Sequence, residues 1–175
     1  MLDLINIKSP GAKSKGDFYL NIMFKITIIA VGKIKEKFWQ EAIKEYQKRL
    51  KPYAVLDIVE VKAESFQVHN RQSAQNKENQ RLLAVLDKYD KQNIYLLAER
   101  GQEFDSLGFA NFIKAKSELV LVLGGSLGWA EEIKLKYTKS ISLSQLTMPH
   151  EMARVVLLEQ IYRAATILQA KDYHY

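Results

Sequence analysis

From Phe24 onward the chain alternates between short apolar runs and stretches where apolar residues recur every three or four positions. Phe24 to Val31 reads as a buried strand, broken by Gly32-Lys33. Trp39, Ala42, Ile43, Tyr46 and Leu50 follow at helical spacing, and Pro52 ends that element. Val55 to Val61 predicts a second strand and Lys62 to Asn70 a polar loop. After the polar stretch SAQNKENQR, the residues Leu82, Leu83, Leu86 and Tyr89 make a second helix face. Asn93 to Ala98 predicts a third strand, closed by Glu99-Arg100-Gly101. Asp105 or Ser106 suits the cap of a short helix carrying Leu107, Ala110 and Ile113. Leu119 to Leu123 is an apolar run stopped by Gly124-Gly125, and Ala130 to Tyr137 a short helix. Ser140 to Leu143 predicts a last strand and Glu151 to Leu168 the longest apolar helix.

Strand and helix thus alternate about five times, which predicts an α/β fold with a parallel sheet and helices on both faces. Residues 23–175 form one domain in this reading. Residues 1–22 stand apart: they hold a Ser-Pro-Gly turn and no apolar segment long enough for a signal peptide. They read either as a mis-assigned or cloning-derived start or as a genuine arm, contributing little to the core. The helix from Glu151 to Leu168 is apolar over most of its circumference, with Met152, Val155, Val156, Leu157, Leu158, Ile161, Ala164 and Ala165. Such a helix is covered on two sides. One side meets the sheet; the other meets a second subunit or another helix of the same chain, with Leu158 expected to face outward.

Composition narrows the chemistry. The 175 residues carry no cysteine, which excludes disulfides and cysteine-held metals. The three histidines, His69, His150 and His174, are far apart in sequence and give a metal site no support. No apolar run approaches the roughly 20 residues of a membrane span. The net charge of +6 is compatible with a polyanionic partner without requiring one. GGSLG is not a dinucleotide fingerprint, because Ser126 and Trp129 stand where glycines are needed. No phosphate-loop Gly-Lys-Ser or Gly-Lys-Thr occurs, and Arg154 occupies the second histidine position of an HExxH. What remains suits a ligand held by backbone. Two predicted strands end in polar loops, Gly124 to Gly128 and Leu143 to Met148, and ligands of open α/β sheets sit at the carboxyl ends of strands. A glycine pair lets main chain approach a bulky ligand. Equally, Gly124-Gly125 is a simple turn and Pro149 a simple helix start on local sequence alone.

The ordered set LGGSLG, SLSQLTMPH, Arg154, LEQIYRA and a final Tyr-His, together with KITIIAVGKIKEKFWQEAIKEYQKRL, resembles one family of SPOUT methyltransferases from Met23 onward. That family methylates N3 of a pseudouridine in bacterial large-subunit (23S) ribosomal RNA. The resemblance implies a deep trefoil knot from roughly Asn93 onward, a homodimer, a ribosomal RNA partner, a cytoplasmic location and no metal. It implies S-adenosylmethionine held at Leu97, at Gly124 and by the loop Leu143, Ser144, Gln145, Leu146, Thr147 and Met148. The matching Tyr173-His174 pair lies by the family's active site. Glu151 stands where relatives often have glutamine, and Tyr175 replaces the usual basic ending. His150 and His174 are candidates for the group that takes the N3 proton, since a neutral imidazole accepts a proton near pH 7; capping or buried hydrogen bonding serves equally for His150. Arg154 is expected either in a salt bridge, with Glu159 for instance, or on a phosphate or cofactor carboxylate. A non-catalytic RNA-binding protein of the same fold is the alternative reading, and a nucleotide-dependent α/β enzyme is a third, disfavoured by the missing phosphate motifs.

Overall fold

The computed structural model describes residues 23–173. Five strands, β1 (Phe24–Val31), β2 (Ala54–Val61), β3 (Ile94–Gln102), β4 (Glu118–Leu123) and β5 (Ser140–Ile141), form one sheet ordered β2-β1-β4-β3-β5. Every pairing is parallel. Five α-helices join them: α1 (Lys37–Leu50), α2 (Arg71–Leu86), α3 (Ser106–Lys114), α4 (Glu131–Lys136) and α5 (His150–Leu168). Ile26, Ile28, Leu119 and Leu121 face one core with α1, α3 and α5; Ile29, Val31, Val120 and Val122 face a second with α2 and α4. Burial on both faces is why β1 and β4 read as continuous apolar runs. The predicted parallel sheet with helices on both faces is therefore the one observed.

Four local expectations change. The stretch Glu99-Arg100-Gly101 does not close β3 but continues it to Gln102, across an irregularity in its pairing with β5. Gly101 permits this, because a Cβ there would lie 2.4 Å from the Ile141 carbonyl carbon. β5 has two residues, and the Ser142 N–H beyond it donates to Gln102 O at 2.9 Å. The polar stretch before Leu82 is itself helix, with Glu78 and Asn79 buried. Leu158 does not face outward: it is 0% exposed and packs in the core that α5 shares with α1 and α3. The exposed apolar position of that helix is Met152. Asp105 caps α3 as predicted, its Oδ1 accepting from Gly108 N–H at 2.6 Å. The predicted extension 1–22, and His174, lie outside the described residues. No described helix is long and apolar enough to cross a membrane.

Candidate active site

β3 lies between β4 and β5, so Leu97, within β3, sits beside the loop that follows Leu123 and the loop that follows β5. A cavity of about 520 Å³ opens there between the glycine loop, the loop after β5 and the start of α5. That is within the size range of small-molecule sites. Leu97, Gly124, Leu143, Ser144, Leu146, Thr147, Met148 and His150 all line it, although they span more than fifty positions of sequence. Gln145 is the member of its loop that does not; its Nε2 donates instead to Glu103 Oε2 at 3.4 Å.

The loop 143–148 holds its shape by local polar bonds. Ser144 Oγ accepts from Leu146 N–H at 3.0 Å, and Ser142 Oγ donates to Ser144 O at 3.0 Å. Thr147 Oγ1 donates to Glu99 Oε1 at 2.6 Å, which ties the loop to the extended end of β3. Glu99 thereby places a carboxylate in the cavity lining.

Trp129 forms the opposite wall. Its indole N–H donates to Leu97 O at 3.2 Å, and a Cβ on Gly124 would lie 3.2 Å from its ring. Gly124 thus makes room first for an indole and, through it, for whatever occupies the cavity. Trp129 and Glu99 were missed by reading the sequence. The signals were a tryptophan directly after the last glycine of GGSLG and a carboxylate at a strand end.

α5 brings His150 to the rim, half-buried. Pro149 offers no side-chain cap, so the first-turn N–H groups of α5 border the cavity as a weakly positive end. His150 faces Gly32: a Cβ there would lie 3.4 Å from His150 Nε2, and φ of +94° already favours glycine. Arg154 is 2% exposed and does not line this cavity. Its Nη1 donates to Glu60 Oε1 at 2.7 Å and its Nη2 to Gly32 O at 2.9 Å, so it ties α5 to β1 and β2. Its salt-bridge partner is Glu60; Glu159 instead accepts from Arg163 at 2.6 Å.

The structure does not bring Tyr173 to the cavity of its own chain. Tyr173 packs edge-on against Tyr162 at 4.8 Å, and its hydroxyl donates to Glu159 Oε1 at 3.3 Å. Glu159 lies nine residues past His150, about 14 Å along the helix. Desolvation, then Tyr46 beside it, push the Tyr173 hydroxyl up to about 12. No group of three potential metal ligands occurs among the described residues.

A protein from Porphyromonas gingivalis named a probable rRNA-methyltransferase superposes with a TM-score of 0.52 at 12% identity, covering 83% of this chain and 70% of that one. A probable methylase family protein from Haemophilus influenzae gives 0.51 at 13% identity, over 85% and 67%. These likenesses are of fold. The family model described as "Predicted SPOUT methyltransferase" matches residues 24–174. With nearly the whole domain matched, the chain belongs to the SPOUT methyltransferase family.

Proposed function

We propose that the protein is an S-adenosylmethionine-dependent methyltransferase acting in the cytoplasm on N3 of a pseudouridine in large-subunit (23S) ribosomal RNA. The observation that carries the cofactor reading is the single cavity built jointly by Leu97, the Gly124 loop and residues 143–148. These residues fit the group. Leu143, Leu146 and Met148 give apolar walls, the loop backbone gives donors and acceptors for an adenine edge, and the α5 N-terminus suits a carboxylate. The Glu99 carboxylate suits a cationic ligand.

When bound, the cofactor supplies an electrophilic methyl group on a sulfonium. The chain's part is alignment of that methyl with N3, together with removal of the N3 proton. His150, on the rim, is the candidate among the described residues to receive it. The ribosomal RNA target is favoured by the sequence resemblance, and the basic net charge is compatible with it.

The homodimer belongs to the same proposal. A tail that serves the site cannot do so from Tyr173's place on its own α5, so a second copy would supply it. The trefoil knot is carried over from the family as well. It is favoured by a chain that leaves β5 at one sheet edge and returns to β1, where Lys35 N–H donates to Glu151 Oε1 at 2.7 Å.

Calorimetry with S-adenosylmethionine in the presence of EDTA tests the cofactor, and methyl transfer to ribosomes from a strain lacking the enzyme tests the substrate. Micromolar binding, about −8 kcal/mol, is expected. Gly124→Val should abolish it while leaving the circular dichroism unchanged, by driving Trp129 into the cavity. Absence of heat with the wild-type protein overturns the cofactor reading. Binding without transfer favours the non-catalytic alternative.

A further inference from the structure

The turn after β1 and the first residues of α1, Gly32 to Trp39, read GKIKEKFW. Because the sheet is parallel, this segment emerges on the same edge as the cavity. The Ala30–Leu123 register sets it beside the glycine loop, and a Cβ on Gly125 would lie 2.9 Å from Val31 Cγ1. The segment is fixed to α5 by three features already described: Lys35 N–H on Glu151, Arg154 on the Gly32 carbonyl, and Gly32 against His150. Those bonds also occupy Glu151 and Glu60, so the one carboxylate left within the turn is the exposed Glu36, against three lysines.

Lys33, Lys35 and Lys37 are all exposed, and none has an ion-pair partner among the described residues. Phe38 follows them, 57% exposed, with its ring 4.8 Å from that of Trp39. One exposed phenylalanine or three solvated lysines would be ordinary surface. Together on one lip beside the cavity, they combine phosphate-binding charge with an exposed aromatic ring tilted against a second.

We propose that this lip is an RNA-docking surface: Lys33, Lys35 and Lys37 hold backbone phosphates, and Phe38 stacks on an unpaired base near the nucleotide presented to the cavity. Unpaired bases stacked on aromatic rings, with cations along the backbone, are the usual means of gripping single-stranded RNA. The inference rests on the RNA-methyltransferase reading above and extends it to residues which that reading did not use.

The test is steady-state methyl transfer to ribosomes from a strain lacking the enzyme, over a series of KCl concentrations, alongside cofactor calorimetry and sedimentation. Phe38→Ala should raise KM for ribosomes by about 5- to 150-fold, and Phe38→Tyr should restore it. The Lys33→Ala/Lys35→Ala/Lys37→Ala triple variant should flatten the dependence of log(kcat/KM) on log[KCl] by about 2 units, and the triple Lys→Arg variant should keep it. Cofactor affinity and melting temperature should not move. Variants with wild-type KM and salt slope overturn the docking surface. So does a Phe38→Ala protein that turns monomeric with its salt slope intact, because a second copy then covers the ring. A wild-type protein that binds S-adenosylmethionine and methylates no ribosomal RNA fails at the earlier step, and both readings fall with it.

Discussion

Glu78 is 5% exposed on the inner side of α2. Its Oε1 accepts from Glu64 N–H at 2.8 Å, and its Oε2 lies 3.4 Å from where a Cβ on Gly125 would stand. Burial pushes its carboxyl above the ordinary 4.5, and the bond from Glu64 only partly offsets this. The folded state therefore holds the proton more tightly than the unfolded chain does. As pH rises, the unfolded chain releases it first, and stability falls between the unfolded and folded values. Glu78→Gln keeps an oxygen for Glu64 and loses the charge. Its melting temperature should exceed wild type at pH 7 to 8, and the gap should close towards pH 4; a gap independent of pH would show that the ionised form is not penalised. Nothing in SAQNKENQR revealed this residue. The buried positions Ala74, Glu78, Asn79 and Leu82 have helical spacing, but periodicity registers apolar side chains and half of these are polar. His150 was legible for the opposite reason. It follows Met148-Pro149 at the start of a strongly apolar helix, so its place at the rim follows from the helix boundary.

At the scale of elements, the buried strands and α5 could be read because their signals are local: unbroken apolar runs in β1 and β4, and a long helical pattern. The far half of β3 could not. What lets it continue is the approach of Gly101 to Ile141, forty residues away, and such a contact leaves no mark on neighbouring residues. The face of Leu158 was misread for a related reason. An all-round apolar helix does not say which side its own chain covers, and here α1 and α3 bracket it. Gly101→Ala should cost at least about 1–3 kcal/mol in urea denaturation, because main chain rather than a flexible side chain must give way. It should also weaken cofactor binding, since β5 carries the 143–148 loop. Unchanged stability would mean that β3 and β5 separate at no cost.

For the whole molecule, the outer side of α5 is the place to test for a second copy. Leu158→Glu would wreck the chain's own core, whereas Met152 is 39% exposed. The wild-type protein should sediment as a dimer at micromolar concentration. Met152→Glu should weaken the dimer tenfold or more without lowering the melting temperature, provided this face lies in the interface. A wild-type monomer overturns the homodimer, and an unaffected dimer moves the interface off this face. The strand order β2-β1-β4-β3-β5 bears on how the chain is made. β1 and β2 are consecutive strands and neighbours in the sheet, but β3 is translated before β4, the strand that must lie between it and β1. At about 5–20 residues per second, the roughly 25 residues from Ile94 to Glu118 take about one to five seconds. Over that interval, and until β4 clears the exit tunnel, Ile94-Tyr95-Leu96-Leu97 has no sheet neighbour. The nascent chain thus carries an unpaired apolar edge of the kind that chaperones bind and that aggregates seed from.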